Sequence, residues 1–439
     1  MEENDLTKEE RREVRRKRRL RNQIVAYITV IALILLMAAG IVLGIGKLTA
    51  GRGEAEQESQ ASQEVLNQIL ADEEIIQTPE PTPEFVELTP EEKLDQIVDA
   101  AIEVMPLEDK VAGLFIVTPE AITGVTTALQ AGEGTKEALA QYAVGGLVYF
   151  TKNIQSEEQI ITMLNNTELY TKYPLFFGVD EEGGSVARLA EAGIGTKVDN
   201  AQTIGGSGDT NNAYLAGLSI GGDLSRIGFN LDFAPVADLA NVENSAIGTR
   251  SYGADAASAA GYVSAAVQGL SEQGITSCLK HFPGIGGSVQ DTHTGLASTG
   301  RSAEQFRGEE FTVFQAGINA GADMVMIGHI SAPELTGNND PCTFSEELVT
   351  NILRNELGFQ GVIITDAMNM KAVSDYYDSA DAAIQALRAG CDMILMPEDF
   401  EAAYNGVLQA VRDGIISEER VNDSLRRIYR IKYADKIEE

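Results

Sequence analysis

The stretch Ile275-Thr276-Ser277-Cys278-Leu279-Lys280-His281-Phe282-Pro283-Gly284 changes character in its middle. Its first half is a short apolar run of the kind that fills a strand buried on both faces. Its second half sets a lysine beside a histidine, then bends the chain with proline and glycine. Strands ending on reactive side chains recur along the sequence. Leu175–Val179 runs into Asp180-Glu181-Glu182-Gly183-Gly184, Met324–Ile327 into Gly328-His329, and Val362–Ile364 into Thr365-Asp366. Further apolar runs at Ala112–Val117, Gly146–Phe150, Asn230–Phe233 and Met393–Met396 bring the number to eight. Segments of helical pattern separate them, among them Ala213–Ile227, Ala256–Gln273, Ala303–Ala320 and Ala380–Ala389. Eight strands alternating with helices over about 340 residues predict an α/β fold, a (β/α)8 TIM-type barrel. A doubly wound open sheet is the alternative reading.

Upstream of this unit, expected to span 92–434, the composition shifts three times. Residues 1–22 carry nine Lys/Arg against six acids, a basic head. Residues 23–46, Gln23 to Gly46, contain no charged side chain and are mostly Ile, Val, Leu and Ala. That is long enough to cross a hydrocarbon core of about 30 Å as a transmembrane helix. With the basic flank in front of it, the N-terminus is expected in the cytoplasm and the body outside, a single-pass anchor in the cell membrane. A cleaved signal peptide is the rival, but its apolar region usually runs to only about 7–15 residues. Residues 47–91 are acidic and include Thr78-Pro79-Glu80-Pro81-Thr82-Pro83-Glu84, a linker expected to stay extended and disordered.

Charge and cysteine usage exclude several classes. A formal net charge of −33 argues against a nucleic-acid partner, which needs lysine and arginine to neutralise phosphates. Three scattered cysteines, Cys278, Cys342 and Cys391, cannot form a disulfide framework or a zinc knuckle. Cys278 reads as a small core hydrophobe.

In such a barrel the loops beyond the C-terminal strand ends carry the chemistry. All three histidines, His281, His293 and His329, lie on or beyond strand ends. The loop after the fifth strand continues to Asp291-Thr292-His293. A carboxylate on one imidazole nitrogen fixes the tautomer and makes the other nitrogen a better base, suited to protonating a leaving oxygen and then activating water. The same atoms can ligate a metal, although no His-x-His or His-Glu-x-x-His accompanies them. Asp366 reads either as a carboxylate nucleophile for an acetal carbon or as a cap for the next helix. The Gly284-Ile285-Gly286-Gly287-Ser288 run reads as a mobile loop or a phosphate cradle, without a Walker lysine or dinucleotide spacing. Nothing in the sequence calls for a cofactor.

Gly-Val-Asp-Glu-Glu-Gly-Gly (Gly178–Gly184), Lys280–Gly284, Asp291-Thr292-His293 and Ile364-Thr365-Asp366, in that order, resemble glycoside hydrolase family 3 and its β-N-acetylglucosaminidase branch. The resemblance covers roughly Glu92 to Ala434. It implies a retaining mechanism through a covalent glycosyl-enzyme on Asp366, with His293 as acid/base oriented by Asp291. It carries sugar binding to Asp180, Arg188, Arg250, Lys280 and His281. The implied partner is a carbohydrate, a GlcNAc-containing glycan or muropeptide. The implied activity is removal of terminal β-linked N-acetylglucosamine from cell-wall (peptidoglycan) fragments. A family 3 β-glucosidase or β-xylosidase is the alternative within the family, and a catalytically silent wall-glycan-binding protein the alternative outside enzymes. The sequence departs from the family pattern at Ile285, where a second histidine is usual, and at Gly286-Gly287-Ser288, where an Asp or Asn commonly follows. It ends just past the barrel, so the added domain of some relatives is not expected.

Overall fold

The computed structural model describes residues 88–290 and 295–434. The basic head, the predicted membrane span and nearly all of the predicted linker lie outside the described residues, as do Asp291 and His293. Among the described residues no helix is long and apolar enough to cross a membrane.

Among the described residues the first helix falls where the acidic segment gives way to periodic apolar residues. Thr89 and Glu92 close a capping box, and helix α1 (Pro90–Glu103) buries Leu94, Val98 and Ile102 along one stripe. Every predicted strand then forms: β1 (Phe115–Val117), β2 (Gly146–Val148), β3 (Phe176–Val179), β4 (Leu231–Asp232), β5 (Thr276–Phe282), β6 (Met324–Ile327), β7 (Val362–Thr365) and β8 (Ile394–Leu395). They are parallel and pair in the cyclic order β8-β1-β2-β3-β4-β5-β6-β7. The ring closes where Ile364 bridges Met393 and the Met393 N–H donates to the Ile363 carbonyl at 3.1 Å. Sequential neighbours and closure remove the doubly wound alternative, which needs an open sheet with a switch point.

Helices α2 (Glu133–Gln141), α3 (Glu157–Tyr170), α4 (Asn211–Ile227), α5 (Ala256–Ser271), α6 (Glu310–Asn319), α7 (Glu347–Glu356, of π type) and α8 (Ser379–Ala389) make the crossovers. Helices α9 (Phe400–Arg412) and α10 (Glu418–Lys432) complete the outer layer. One helix expectation fails. Ala303–Ala320 is not continuous: a first turn ends at Gly308, and α6 restarts at Glu310. The break falls just past Gly308, where Glu309 at the surface and the buried Glu310 both accept from Arg301, at 2.6 and 3.0 Å.

The barrel floor is closed by charge as well as by side-chain volume. Asp392, fully buried just before β8, accepts from Arg354 at 2.6 Å, Ser424 at 2.7 Å, Arg427 at 3.1 Å and the Ile363 N–H at 2.9 Å. Lys432 donates to the Gly145 carbonyl at 2.6 Å and lies 4.6 Å over the Phe176 ring. Cys278, Cys342 and Cys391 are all buried and free, and burial pushes the thiols of Cys342 and Cys391 up to about 12. They behave as core residues.

Candidate active site

At the C-terminal mouth the strand ends surround a cavity of about 200 Å³. Asp180, Arg188, Arg250, Lys280, His281 and Asp366, assigned from the sequence motifs, all line it. The structure leaves Asp291 and His293 outside its described residues.

Strand β3 delivers Asp180 and turns at once into a small antiparallel hairpin, Glu181–Gly183 with Val186–Ala187, which returns the chain to Arg188. The turn needs left-handed backbone at Gly183 (φ 86°) and Gly184 (φ 60°), a region that L side chains avoid. Two acids that never face the cavity hold this turn. Asp232, at the end of β4, accepts from the Glu181 N–H at 2.9 Å, and Glu181 accepts from the Leu189 and Ala190 N–H groups at 2.7 and 3.2 Å. Burial raises Glu181 to about 7 and Asp232 well above the usual carboxylate range.

Lys280 and His281 are adjacent on β5, and regular pleating would send them to opposite faces. Both nevertheless line the cavity: the peptide bond that joins them is cis, and the β5–β6 register shifts between Leu279 and Phe282. The irregularity lies inside the strand, ahead of Pro283, where the sequence had placed the bend. Lys280 is 2% exposed and sits 2.6 Å from both Asp180 and Glu182. Arg250 grips the same Glu182 with two bonds, of 2.8 and 2.7 Å. Burial opposes ionisation of Glu182, but Lys280 and Arg250 outweigh it and bring the carboxyl down to about 2. Burial likewise opposes the charge on Lys280, and Asp180 and Glu182 outweigh it, so the ammonium stays protonated.

His281 is oriented from beneath. Asp238, 1% exposed, lies 2.7 Å from its Nδ1 and also accepts the His281 N–H at 3.1 Å and the Ile285 N–H at 2.7 Å. With Nδ1 engaged, Nε2 is the nitrogen left to meet a ligand. His329 does something different. It is fully buried, with Nδ1 2.7 Å from the Thr343 hydroxyl and Nε2 3.1 Å from the Ala367 carbonyl. Burial lowers its pKa, which keeps it neutral; one tautomer, protonated on Nε2, satisfies both bonds. It therefore braces the segment that carries Asp366.

Asp366 leaves β7 with its own N–H on the Ile327 carbonyl at 2.9 Å, and its Oδ1 accepts the Ala367 N–H at 2.7 Å. It caps no helix, because the next one begins at Lys371 behind Met370. Burial works against its ionisation, but His281, the Ala367 N–H and Lys280 outweigh it and hold the carboxyl below its ordinary value. An ionised carboxylate in a small cavity, with hydrogen-bonding groups arrayed opposite, can attack an electrophilic carbon of a polar, neutral ring.

The glycine run after β5 is not a phosphate cradle. A Cβ on Gly286 would lie 1.6 Å from the Leu239 carbonyl oxygen, so glycine here permits close backbone approach. The amides of Gly284, Ile285 and Ser288 are already bonded to His281, Asp238 and Ile285. The side chain of Ile285 packs toward Gly328 at the end of β6, an apolar role in place of the family's usual histidine.

Sequence reading set Glu181, Glu182 and His329 at strand ends without a role in the site, and passed over Asp232 and Asp238. Asp238 offered the clearest signal, a strand-end acid five residues past Phe233. Its partner His281 lies 43 residues away, which no local pattern reveals.

Residues 91–431 match the glycosyl hydrolase family 3 N terminal domain. Beta-hexosaminidase A of Pseudoalteromonas piscicida is 31% identical over 326 residues, 67% of this chain and 54% of that protein. Beta-hexosaminidase of Stenotrophomonas maltophilia is 34% identical over 281 residues, 62% of this chain and 82% of that one. Among solved structures, a glycoside hydrolase family 3 beta-N-acetylglucosaminidase from Paenibacillus sp. superposes with a TM-score of 0.72 at 32% identity, covering 76% of this chain and 63% of that one. The chain thus spans about half the length of the Pseudoalteromonas relative. The matched segment contains the whole barrel and every described cavity residue, and the chain belongs to glycosyl hydrolase family 3.

Proposed function

We propose that the protein is a retaining exo-β-N-acetylglucosaminidase that removes terminal β-linked N-acetylglucosamine from peptidoglycan fragments outside the cell membrane. The observation that carries the reading is the placing of Asp366, with its pKa lowered, in one small cavity with Lys280, Asp180, Arg250 and His281. A cavity of about 200 Å³ suits one terminal ring, and so an exo mode of attack. Relatives named as hexosaminidases support the aminosugar.

In this mechanism Asp366 attacks the anomeric carbon and forms a glycosyl-enzyme. His293, oriented by Asp291, protonates the leaving oxygen and then takes a proton from the water that releases the sugar. Lys280, Asp180, Arg250, Arg188 and His281 bind the ring hydroxyls. The uncharged segment Gln23–Gly46, with its basic flank, holds the domain at the membrane.

The test is turnover of nitrophenyl β-glycosides of N-acetylglucosamine, glucose and xylose by the full chain. We expect N-acetylglucosaminide to lead by at least about tenfold. A lead for glucose or xylose would move the enzyme to another branch of the family. No turnover of any of the three, with muropeptide binding retained, would make it a binding protein. Fractionation checks the anchor: the full chain should sediment with membranes, and a variant lacking residues 1–46 should not.

A further inference from the structure

A further buried charge cluster lies at the C-terminal end of β5, outside the Asp366 cavity. Arg301 donates to Glu310 at 3.0 Å and to Glu309 at 2.6 Å, and Asn241 donates to Glu310 at 3.0 Å. The Glu310 side chain is 1% exposed and that of Arg301 12%. Neither residue lines the cavity. Asn241 belongs to the loop after β4, which also supplies Asp238 and Arg250, and Glu310 opens α6. Arg301 belongs to the segment that leads from β5 toward α6, and that segment carries Asp291 and His293.

Both limbs of that segment close on the Arg301–Glu310 pair. On the outgoing limb, a Cβ on Gly284 would lie 2.6 Å from Glu310 Cγ, and one on Gly287 would lie 2.6 Å from Arg301 Cδ. Gly284 also has left-handed backbone, φ 124°. The same limb is tied to the cavity wall, because the Gly284 N–H donates to the His281 carbonyl at 2.8 Å and the Ile285 N–H to Asp238 at 2.7 Å. On the returning limb the Thr299 N–H donates to the Ser331 carbonyl at 2.9 Å, and the Arg301 N–H to the Thr299 hydroxyl at 3.3 Å. A row of rings leads from the pair back to β5. The Arg301 guanidinium lies 5.9 Å over Phe306, Phe306 stacks on Phe311 at 5.9 Å, and Phe311 stacks at 5.1 Å on Phe282, the residue after His281.

Burying charge is costly, and an apolar pair would fill the same space at lower cost. What the ions add is geometry. Arg301 Nε and Nη2 lie 2.8 and 3.0 Å from the two oxygens of Glu310, a two-point contact with one relative orientation. We infer that Arg301 and Glu310 are positioning residues for the acid/base step. They set the two limbs of the segment against each other and against β5, and so aim the histidine that protonates the leaving oxygen. Neither touches the substrate. The inference rests on the reading of His293 as acid/base given above.

The test compares kcat/KM of the full chain on two substrates. The leaving oxygen of N,N′-diacetylchitobiose needs a proton, and the leaving group of dinitrophenyl N-acetylglucosaminide does not. Arg301→Gln should lose about tenfold to a hundredfold on the disaccharide and stay within about twofold on the dinitrophenyl substrate. The alkaline limb of its pH–rate profile on the disaccharide should move as well, whereas a purely structural role would leave that limb in place. His293→Ala, the reference, should show the same selectivity with a larger loss. Arg301→Gln leaves Glu310 buried without its cation, so Arg301→Met/Glu310→Met is the companion variant, free of both charges and expected to show the same selective loss. Equal losses on both substrates, or no loss on the disaccharide, in either variant while His293→Ala stays selective would overturn the positioning role. Equal losses in His293→Ala would instead overturn the acid/base reading, and a wild-type chain inert on both substrates the glycosidase reading, with the positioning role falling in each case.

Discussion

The two ends of the barrel are built from the same parts and reach opposite outcomes. At the floor, Asp392 is surrounded by Arg354, Arg427, Ser424 and a backbone N–H, so none of its bonding capacity is left over. At the mouth, Lys280 and Arg250 share Glu182 in an equally buried cluster. There, however, Asp180 is partly open, His281 has one ring nitrogen uncommitted, and Asp366 keeps an oxygen facing the cavity. Burying charge is costly in both places, and full partnering offsets the cost at the floor. At the mouth the partnering stops short, and the remaining capacity is what a substrate can use.

Substitution of one acid at each end breaks the comparison most sharply. Asp366→Asn should cut kcat by at least about a thousandfold, as loss of a nucleophile does, with the melting temperature unchanged or raised. Asp392→Asn should do the reverse. We expect about 3–5 kcal/mol less stability in denaturant titration and near wild-type turnover per folded molecule, because it leaves arginines buried without their partner. Similar melting behaviour in the two variants would mean that the mouth cluster is structural too.

A smaller effect is expected one bond back from the cavity. Asp238→Asn removes the charge-assisted bond that orients His281 and should lower kcat/KM by about tenfold to a hundredfold. Its pH–rate profile should move as well, whereas a purely structural Asp238 would change stability and leave the profile in place.

The smallest effect is in the pH dependence of stability, where two neighbouring glutamates have opposite signs. Glu182 is lowered from 4.5 to about 2, so its contribution is complete above pH 4.5 and is lost as the pH falls toward 2. Glu181 is raised from 4.5 to about 7, so the folded chain keeps a proton that the unfolded chain releases. Its contribution is complete below pH 4.5 and is lost as the pH rises to about 7. Melting curves of Glu181→Gln and Glu182→Gln against wild type should each flatten one limb, the neutral and the acid one respectively. A neutral limb unchanged in Glu181→Gln would contradict the burial argument.

Much of this was legible in the sequence. Each strand is a short run apolar on both faces, and the reactive residues that follow β3, β5 and β7 mark the mouth without any knowledge of pairing. Asp180, Lys280, His281 and Asp366 could be read because each lies at or just beyond the end of an apolar run. The supporting acids could not. The links of Glu182 to Arg250 and Asp238 to His281 span 68 and 43 residues and exist only once the barrel has closed. The break at Glu309 was hidden for a related reason. Apolar periodicity continues across it, while Gly308 ends the first helix and Arg301, from outside the helix, bonds Glu309 at the break. Ile285 read as a lost histidine and proves to be an apolar packing residue whose N–H belongs to Asp238.

The central claim is that Asp366 forms a covalent bond with the sugar, and trapping tests it most directly. The full chain would be quenched during turnover of a slow, fluorinated N-acetylglucosaminide carrying an activated leaving group, then digested and read by mass spectrometry. The account predicts one glycosyl adduct, on the peptide carrying Asp366 and absent from Asp366→Asn. An adduct on any other residue, or an Asp366→Asn chain that turns over like wild type, would contradict it.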